Sequence, residues 1–334
     1  LNDAPLALTM GDPAGIGPEI ALKAWNALRA RREACFAVTG DPDAMARAAR
    51  ALDLTAPQVI AHMREAAAAF PERLPVLPVQ DASASPEAAT IAAIERAVEL
   101  ALSGEAGGVV TNPVSKAALY AAGFTFPGHT EFIDHLTRSA GTSGPRGPVM
   151  MLAAPELKTA LVTIHLPLRE AIAAITTERI IHVARVVQQA LTRDFGLAEP
   201  RLAVAGLNPH AGEGGALGRE EIEIVAPAIE ALVAEGVAAT GPHPPDTMFH
   251  AEARAKYDAA ICLYHDQGLI PVKTLNFHGG VNVTLGLPIV RTSPDHGVAY
   301  DIAGEGIARA DSLIAAIRMA GEMAHNRARA DDNA

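Results

Sequence analysis

The 334-residue chain has only two cysteines, Cys35 and Cys262, far apart and outside any CxxC pair. No disulfide framework can be built from them, so buried thiols in a reducing cytoplasm are the expected state. Aromatic residues make up 4% of the chain, which leaves Ala, Val, Leu and Ile to fill the core. No run approaches the roughly 20 apolar residues that cross a bilayer. The N-terminus lacks a basic segment followed by an apolar stretch, so no secretory signal is expected. These absences describe a soluble cytoplasmic protein with no membrane partner. Positive charge is scarce as well. The net charge is −11, and lysine occurs only as Lys23, Lys116, Lys158, Lys256 and Lys273. The charge therefore argues against broad nucleic-acid binding, which leans on basic surface. An anionic small molecule is not excluded, since a few cations in one cleft set the local field.

Apolar types supply 49% of residues and charged types 19%, enough for an extensive core and two domains' worth of chain. Short apolar runs alternate with amphipathic segments. The runs are Leu6–Thr9, Gly108–Thr111, Thr159–Ile164, Arg201–Ala205 and Ala259–Tyr264. Continuous apolar runs suit strands covered on both faces. Ser85-Pro86-Glu87 reads as an N-cap with proline at the first helical position, ahead of a stripe of Ile91, Ile94, Val98 and Leu102. A second stripe runs through Ile180, Ala184, Val187 and Leu191 and closes at Gly196. A third runs through Ile222, Val225, Ile229 and Leu232, with a kink expected at Pro227. Ala66–Ala69 reads as helix and the tail beyond His325 as a frayed end. The alternation predicts an α/β fold with a mostly parallel sheet and helices on both faces.

Three histidines share a topological position. His165, His210 and His265 each stand at, or a few residues beyond, the C-terminal end of an apolar strand, where ligands bind in open parallel sheets. Three imidazoles there would hold one divalent metal and leave a coordination position for substrate; imidazole favours zinc-like metals over magnesium. The alternative is that each is an ordinary loop histidine. Gly11-Asp-Pro-Ala-Gly-Ile-Gly-Pro-Glu19 lies between the first strand and first helix, where glycines let N–H groups approach an anion. Its spacing is not GxGxxG, and a simple tight turn is the competing account. The turn Pro127-Gly-His129-Thr130-Glu131 suits a phosphate or carboxylate, although taken alone it reads first as an ordinary loop. Lys273, Asn282 and Arg291 follow His265, and both basic side chains hold phosphate well. Asp246 in Pro244-Pro-Asp-Thr247 is a base, an orienter or a turn former.

Together the motifs resemble the PdxA family of 4-hydroxythreonine-4-phosphate dehydrogenases over essentially the whole chain. They are Met10–Glu19, Thr111-Asn-Pro-Val-Ser-Lys116, Gly128-His-Thr-Glu131 and Thr163-Ile-His-Leu-Pro-Leu168. They continue with Leu207-Asn-Pro-His-Ala-Gly-Glu213, Tyr264-His-Asp-Gln-Gly-Leu269, Gly279-Gly-Val-Asn282 and Arg291-Thr-Ser-Pro-Asp-His-Gly297. A wider similarity is to isocitrate and isopropylmalate dehydrogenases, through the glycine-rich opening and Asp301-Ile-Ala-Gly-Glu-Gly-Ile-Ala308. The resemblance implies an isopropylmalate-dehydrogenase-like α/β fold: two α/β/α domains with an intervening active-site cleft. The first would span 1–125 plus 275–334 on the cofactor side, the second 126–274 with the metal ligands and dimer interface.

It also implies site roles. His165, His210 and His265 would be the ligands of one divalent metal per subunit: zinc, with magnesium or cobalt as alternatives. His129, Thr130, Lys273, Asn282 and Arg291 would bind substrate. Gly11, Asp12, Gly15, Gly17, Asp301 and Gly304 would face NAD or NADP. From the residues themselves, Lys273 is expected to assist catalysis and Asp246, or a water it holds, to act as base. The family acts as a homodimer, with each active site at the subunit interface and metal ligands from both chains. The implied reaction is oxidation of 4-phosphohydroxy-L-threonine at C3, followed by decarboxylation to 3-amino-2-oxopropyl phosphate, in vitamin B6 biosynthesis. The rivals are a sister dehydrogenase acting on 4-phosphothreonate or 4-phosphoerythronate, a phosphate acetyltransferase, and a non-catalytic phospho-metabolite binder.

Overall fold

The computed structural model describes residues 4–332 apart from 31–33, 80–84, 122, 127 and 143. Pro127, part of the turn singled out above, lies outside the described residues. The chain forms two compact units, one of residues 1–141 and 287–334, the other of 142–286. The sequence reading set the joins about 12 to 16 residues earlier. Helix His129–Leu136 belongs with the first unit because Phe132 and Ile133 are buried in that unit's core beside Ile94 and Val98. Val281–Leu285 belongs with the second because it pairs antiparallel with Val149–Ala154.

In chain order the described strands are β1 (Leu6–Thr9), β2 (Phe36–Gly40), β3 (Gln58–Val59), β4 (Pro75–Pro78), β5 (Val109–Thr111) and β6 (Val149–Ala154). They continue with β7 (Leu157–Leu161), β8 (Arg201–Ala205), β9 (Ala238–His243), β10 (Ala259–Cys262), β11 (Val281–Leu285) and β12 (Arg291–Pro294). The first unit orders its strands β3-β4-β2-β1-β5-β12, with parallel pairing. The second orders them β11-β6-β7-β10-β8-β9; β6 runs antiparallel to both neighbours and the rest are parallel. Strands β1, β2, β5 and β10 are buried along their whole length, as continuous apolar runs require.

Ser85 caps helix Pro86–Leu102 as expected, its Oγ accepting from Ala88 N at 3.1 Å. Helix Thr177–Arg193 likewise matches its stripe, and Gly196 beyond it takes φ +71°. The third stripe differs. Residues Glu221–Val225 form a π-helical turn before helix Ala226–Ala234, and Pro227 sits harmlessly in that helix's first turn, where no N–H is missed. Ile222 consequently points outward. The tail is not frayed: helix Asp311–Asp332 continues past His325, where residues 324–328 stay half-buried and Arg327 Nη1 donates to Pro288 O at 3.0 Å. Among the described residues, no helix is long and apolar enough to cross a membrane.

Candidate active site

In the first unit, pairing across a sequence gap of about 180 residues builds a cationic cluster. Parallel register sets Arg291 opposite Val109 and Thr292 opposite Val110, so Arg291 begins its strand beside the start of β5 and its side chain reaches forward to Thr111. Its Nη2 donates to Thr111 Oγ1 at 2.6 Å, and the residue is only 3% exposed. Burial lowers the guanidinium pKa to about 10, with the Glu131 carboxylate opposing that fall. His129 opens helix His129–Leu136, behind Gly128 as N-cap. Its Nε2 is buried without a hydrogen-bond partner. Burial first, then the charges of Arg291 and Lys116, push its pKa down to about 3, so the ring is neutral at physiological pH. Gly128 fits tightly here: a Cβ on it would lie 3.1 Å from Glu131 Oε2 and 3.4 Å from Lys116 Nζ. Thr130 follows, half-buried. Two cations, one carboxylate, a neutral imidazole and a helix N-terminus leave a local field that attracts an anion.

In the second unit, β7 and β10 run parallel with Thr159 opposite Ala260 and Leu161 opposite Cys262. The register persists past the strands: Val162 N donates to Cys262 O, and Thr163 donates to Leu263 O from both its amide and its Oγ1. Residues 165 and 265 therefore leave the sheet side by side, and the imidazole centres lie 5.7 Å apart. A Zn–N distance of about 2.0 Å plus about 1.2 Å from nitrogen to ring centre lets two such rings share one ion. His265 Nδ1 lies 2.7 Å from Asp266 Oδ1, which leaves Nε2 for a ligand, the usual arrangement of a metal-binding histidine. These two rings fit a divalent cation.

His210 is presented differently. Six consecutive residues, His210 to Gly215, have φ between +46° and +99°, a left-handed turn that leaves His210 exposed. Non-glycine residues pay about 1–2 kcal/mol each in that region. The buried Glu221 carboxylate holds the entry to the turn. It accepts from Leu207 N at 2.8 Å, Asn208 N at 2.7 Å and Asn208 Nδ2 at 2.9 Å. Burial pushes this carboxyl up, but the bonds from Asn208 and Leu207 outweigh it and hold the group below the usual carboxylate range. The π-helical turn starting at Glu221 sets this side chain under the loop. Replacing Glu221 with leucine is expected to cost about 2–4 kcal/mol by stranding buried donors. A denaturant midpoint at least as high as that of the unaltered protein would refute the clamp.

Within one chain the three histidines do not converge: among the described residues no group of three His, Cys, Asp or Glu side chains could hold a metal ion. Asp246 is exposed on the short helix Pro245–Met248, which packs against the left-handed turn. Lys273 lies in the last turn of helix His265–Leu275, its Nζ 5.7 Å from the Phe277 ring centre. Asn282 lies on β11, its Oδ1 buried without a hydrogen-bond partner.

The six positions expected to face a dinucleotide divide. Gly15 and Gly304 line a cavity of about 270 Å³ with Pro18, Glu19, Ala44, Arg47 and Ala48. Its alanine wall and open glycine backbone suit a flat ring, with Arg47 as a cation at the wall and the Glu19 carboxylate, paired with Lys23, as an anion. Gly11 and Gly17 stand where the backbone is closely packed: a Cβ on Gly11 would come within 2.7 Å of Pro113 O, and one on Gly17 would overlap Met10 O. Asp12 accepts from Ala14 N at 2.9 Å and from Tyr300 Oη at 2.5 Å. Asp301 sits exposed in the turn Tyr300–Ile302. Sequence patterns had not assigned roles to Thr111, Lys116, Glu221 or Gln267. The buried Gln267 ties two strand ends, accepting from Leu263 N at 2.7 Å and donating to Gly206 O at 2.8 Å. The signals that could have found Lys116 were the scarcity of lysine and its place in the motif Thr111-Asn-Pro-Val-Ser-Lys116.

The fold and these clusters define an α/β protein with a buried arginine in one unit and a pair of adjoining strand-end histidines in the other. The chain belongs to the PdxA family, described as pyridoxal phosphate biosynthetic protein PdxA, whose pattern matches residues 32–320. It is 58% identical to a Caulobacter vibrioides protein named 4-hydroxythreonine-4-phosphate dehydrogenase, covering 98% of this chain and 99% of that one. The solved 4-hydroxythreonine-4-phosphate dehydrogenase of Klebsiella pneumoniae superposes with a TM-score of 0.84 at 40% identity, over 96% of this chain and 98% of that one. A terephthalate 1,2-cis-dihydrodiol dehydrogenase from Burkholderia xenovorans is similar at TM-score 0.66 and 29% identity, over 96% and 98% of the two chains.

Proposed function

We propose that the protein oxidises 4-phosphohydroxy-L-threonine at C3 with NAD or NADP as hydride acceptor, in the cytoplasmic synthesis of vitamin B6. The observation that carries this reading is the buried Arg291, beside the neutral His129 and Lys116, in a chain 58% identical to a relative bearing that enzyme's name. The rival acetyl-transfer and non-catalytic readings have no use for the adjoining His165 and His265.

A divalent cation, zinc with magnesium or cobalt as alternatives, would supply Lewis acidity at the substrate hydroxyl, and NAD(P)⁺ would take up the hydride. His165, His210 and His265 would hold the cation, the set being completed between the chains of a homodimer. Arg291, Lys273 and Asn282 bind the substrate's anionic and polar groups, and the His129–Thr130 helix end adds neutral hydrogen bonds. Fixing the substrate at these points lowers the entropic barrier. Asp246, directly or through water, takes the C3 hydroxyl proton. Each turnover consumes one NAD(P)⁺ and yields 2-amino-3-oxo-4-phosphooxybutanoate, NAD(P)H and one proton. The β-keto acid then loses CO2 to give 3-amino-2-oxopropyl phosphate.

The test is formation of reduced nicotinamide with 4-phosphohydroxy-L-threonine against 4-phosphothreonate, each with and without a chelator. Turnover should require the amino substrate and should stop on chelation. Faster turnover of 4-phosphothreonate would assign the protein to the sugar-acid branch instead.

A further inference from the structure

Two stretches distant in sequence, 12–19 and 298–308, are joined at three points. Tyr300 Oη donates to Asp12 Oδ2. Ile16 N donates to Val298 O at 3.0 Å, and Gly15 lies so close that a Cβ would sit 2.9 Å from that same oxygen. The third point is the densest. Glu19, 3% exposed, accepts from Ala308 N at 2.9 Å and Gly306 N at 3.3 Å. Lys23, one turn on, donates to Glu19 Oε1 at 2.8 Å, Gly306 O at 2.8 Å and Ala308 O at 2.7 Å. The pair thus satisfies both the donors and the acceptors of residues 306 and 308, which β pairing would otherwise serve. The anchors bracket Ala303 and Gly304, and these two residues are what the far stretch contributes to the cavity beside Gly15.

We propose that Glu19 and Lys23 are positioning residues for the dinucleotide: they clamp the 306–308 backbone so that Ala303 and Gly304 hold the cavity wall at a fixed distance from Gly15. The proposal rests on the reading of this protein as an NAD(P)-dependent dehydrogenase. A clamp of this kind acts on cofactor affinity and leaves the substrate anion cluster alone, because the hydrogen bonds that form it join only Glu19, Lys23, Gly306 and Ala308.

The test compares E19A, E19Q and K23M with the unaltered protein by steady-state kinetics, by calorimetry with NADP and NAD, and by amide hydrogen exchange. E19A should raise KM for the dinucleotide about tenfold or more, with the KM of the phosphorylated substrate held within about twofold. E19Q keeps an acceptor for the two amides and should recover most of that loss, which also guards against a variant that fails to fold. Exchange at Gly306 and Ala308 should quicken in E19A and K23M. Equal rises in both KM values, or unchanged protection of those two amides, would overturn the proposal. If the unaltered protein reduces neither dinucleotide, the dehydrogenase reading fails by itself, while calorimetry and exchange still decide whether the clamp controls dinucleotide binding.

Discussion

Replacing Arg291 with methionine should leave a folded protein whose kcat/KM for the phosphorylated substrate falls roughly a thousand-fold, since truncating a buried, hydrogen-bonded charge costs about 2–5 kcal/mol. The size of the effect follows from where the guanidinium stands. It is 3% exposed, bonded to Thr111 Oγ1, and its pKa is lowered to about 10 by burial. A cation already stripped of water interacts strongly with an incoming anion and loses little hydration on binding. Arginine also presents a planar fork that meets two phosphate oxygens at once. Lysine at this position keeps the charge without the fork, and R291K should fall between the two. Thr111→Val, which removes only the acceptor that orients Nη2, should lose about tenfold. Measured kcat/KM for R291M within tenfold of the unaltered protein would remove Arg291 from the anion site.

The second large effect concerns His265. H265A is expected to lower bound divalent metal to a small fraction of its normal stoichiometry and to cut turnover by a factor of about a thousand or more. The grounds are the 5.7 Å separation from the His165 ring and the Asp266 carboxylate at Nδ1, which fixes the tautomer that exposes Nε2. Asp266→Asn keeps the ligand and weakens its orientation, so metal affinity should fall about 10–100-fold and saturating metal should restore much of the rate. Elemental analysis of the purified variants, paired with turnover at graded zinc, separates the two. Full metal content in H265A would show that the two rings adjoin for packing alone.

Much of the fold was legible because its determinants are local. The Ser85-Pro86 cap, the stripes through Ile94 and Val187 and the buried runs at β1 and β8 are set by side-chain periodicity and by φ preferences within a few residues. The third stripe misled because a π-helical turn keeps apolar residues in the same order while rotating Ile222 out of the core. The positions of His165 and His265 were legible for a related reason: a histidine ending an apolar run must sit at a strand end, and parallel strands end together. His210 stands beyond a third such strand, yet it opens a run of six left-handed residues instead of following the strand directly. No local pattern announces that turn; it persists because Glu221, from a separate element, satisfies the donors at its entry.

The amino-acid sequence by itself determined the alternation of strands and helices, the strand-end histidines and the family to which the chain belongs, because each is written in residue types at short spacing. Only the tertiary structure decided which distant segments meet: Arg291 with Thr111 and His129, and Glu19 with Gly306 and Ala308. Those meetings depend on strand register and on the requirement that buried polar groups find partners. Both are properties of the packed chain as a whole, and neither can be read from any short stretch of it.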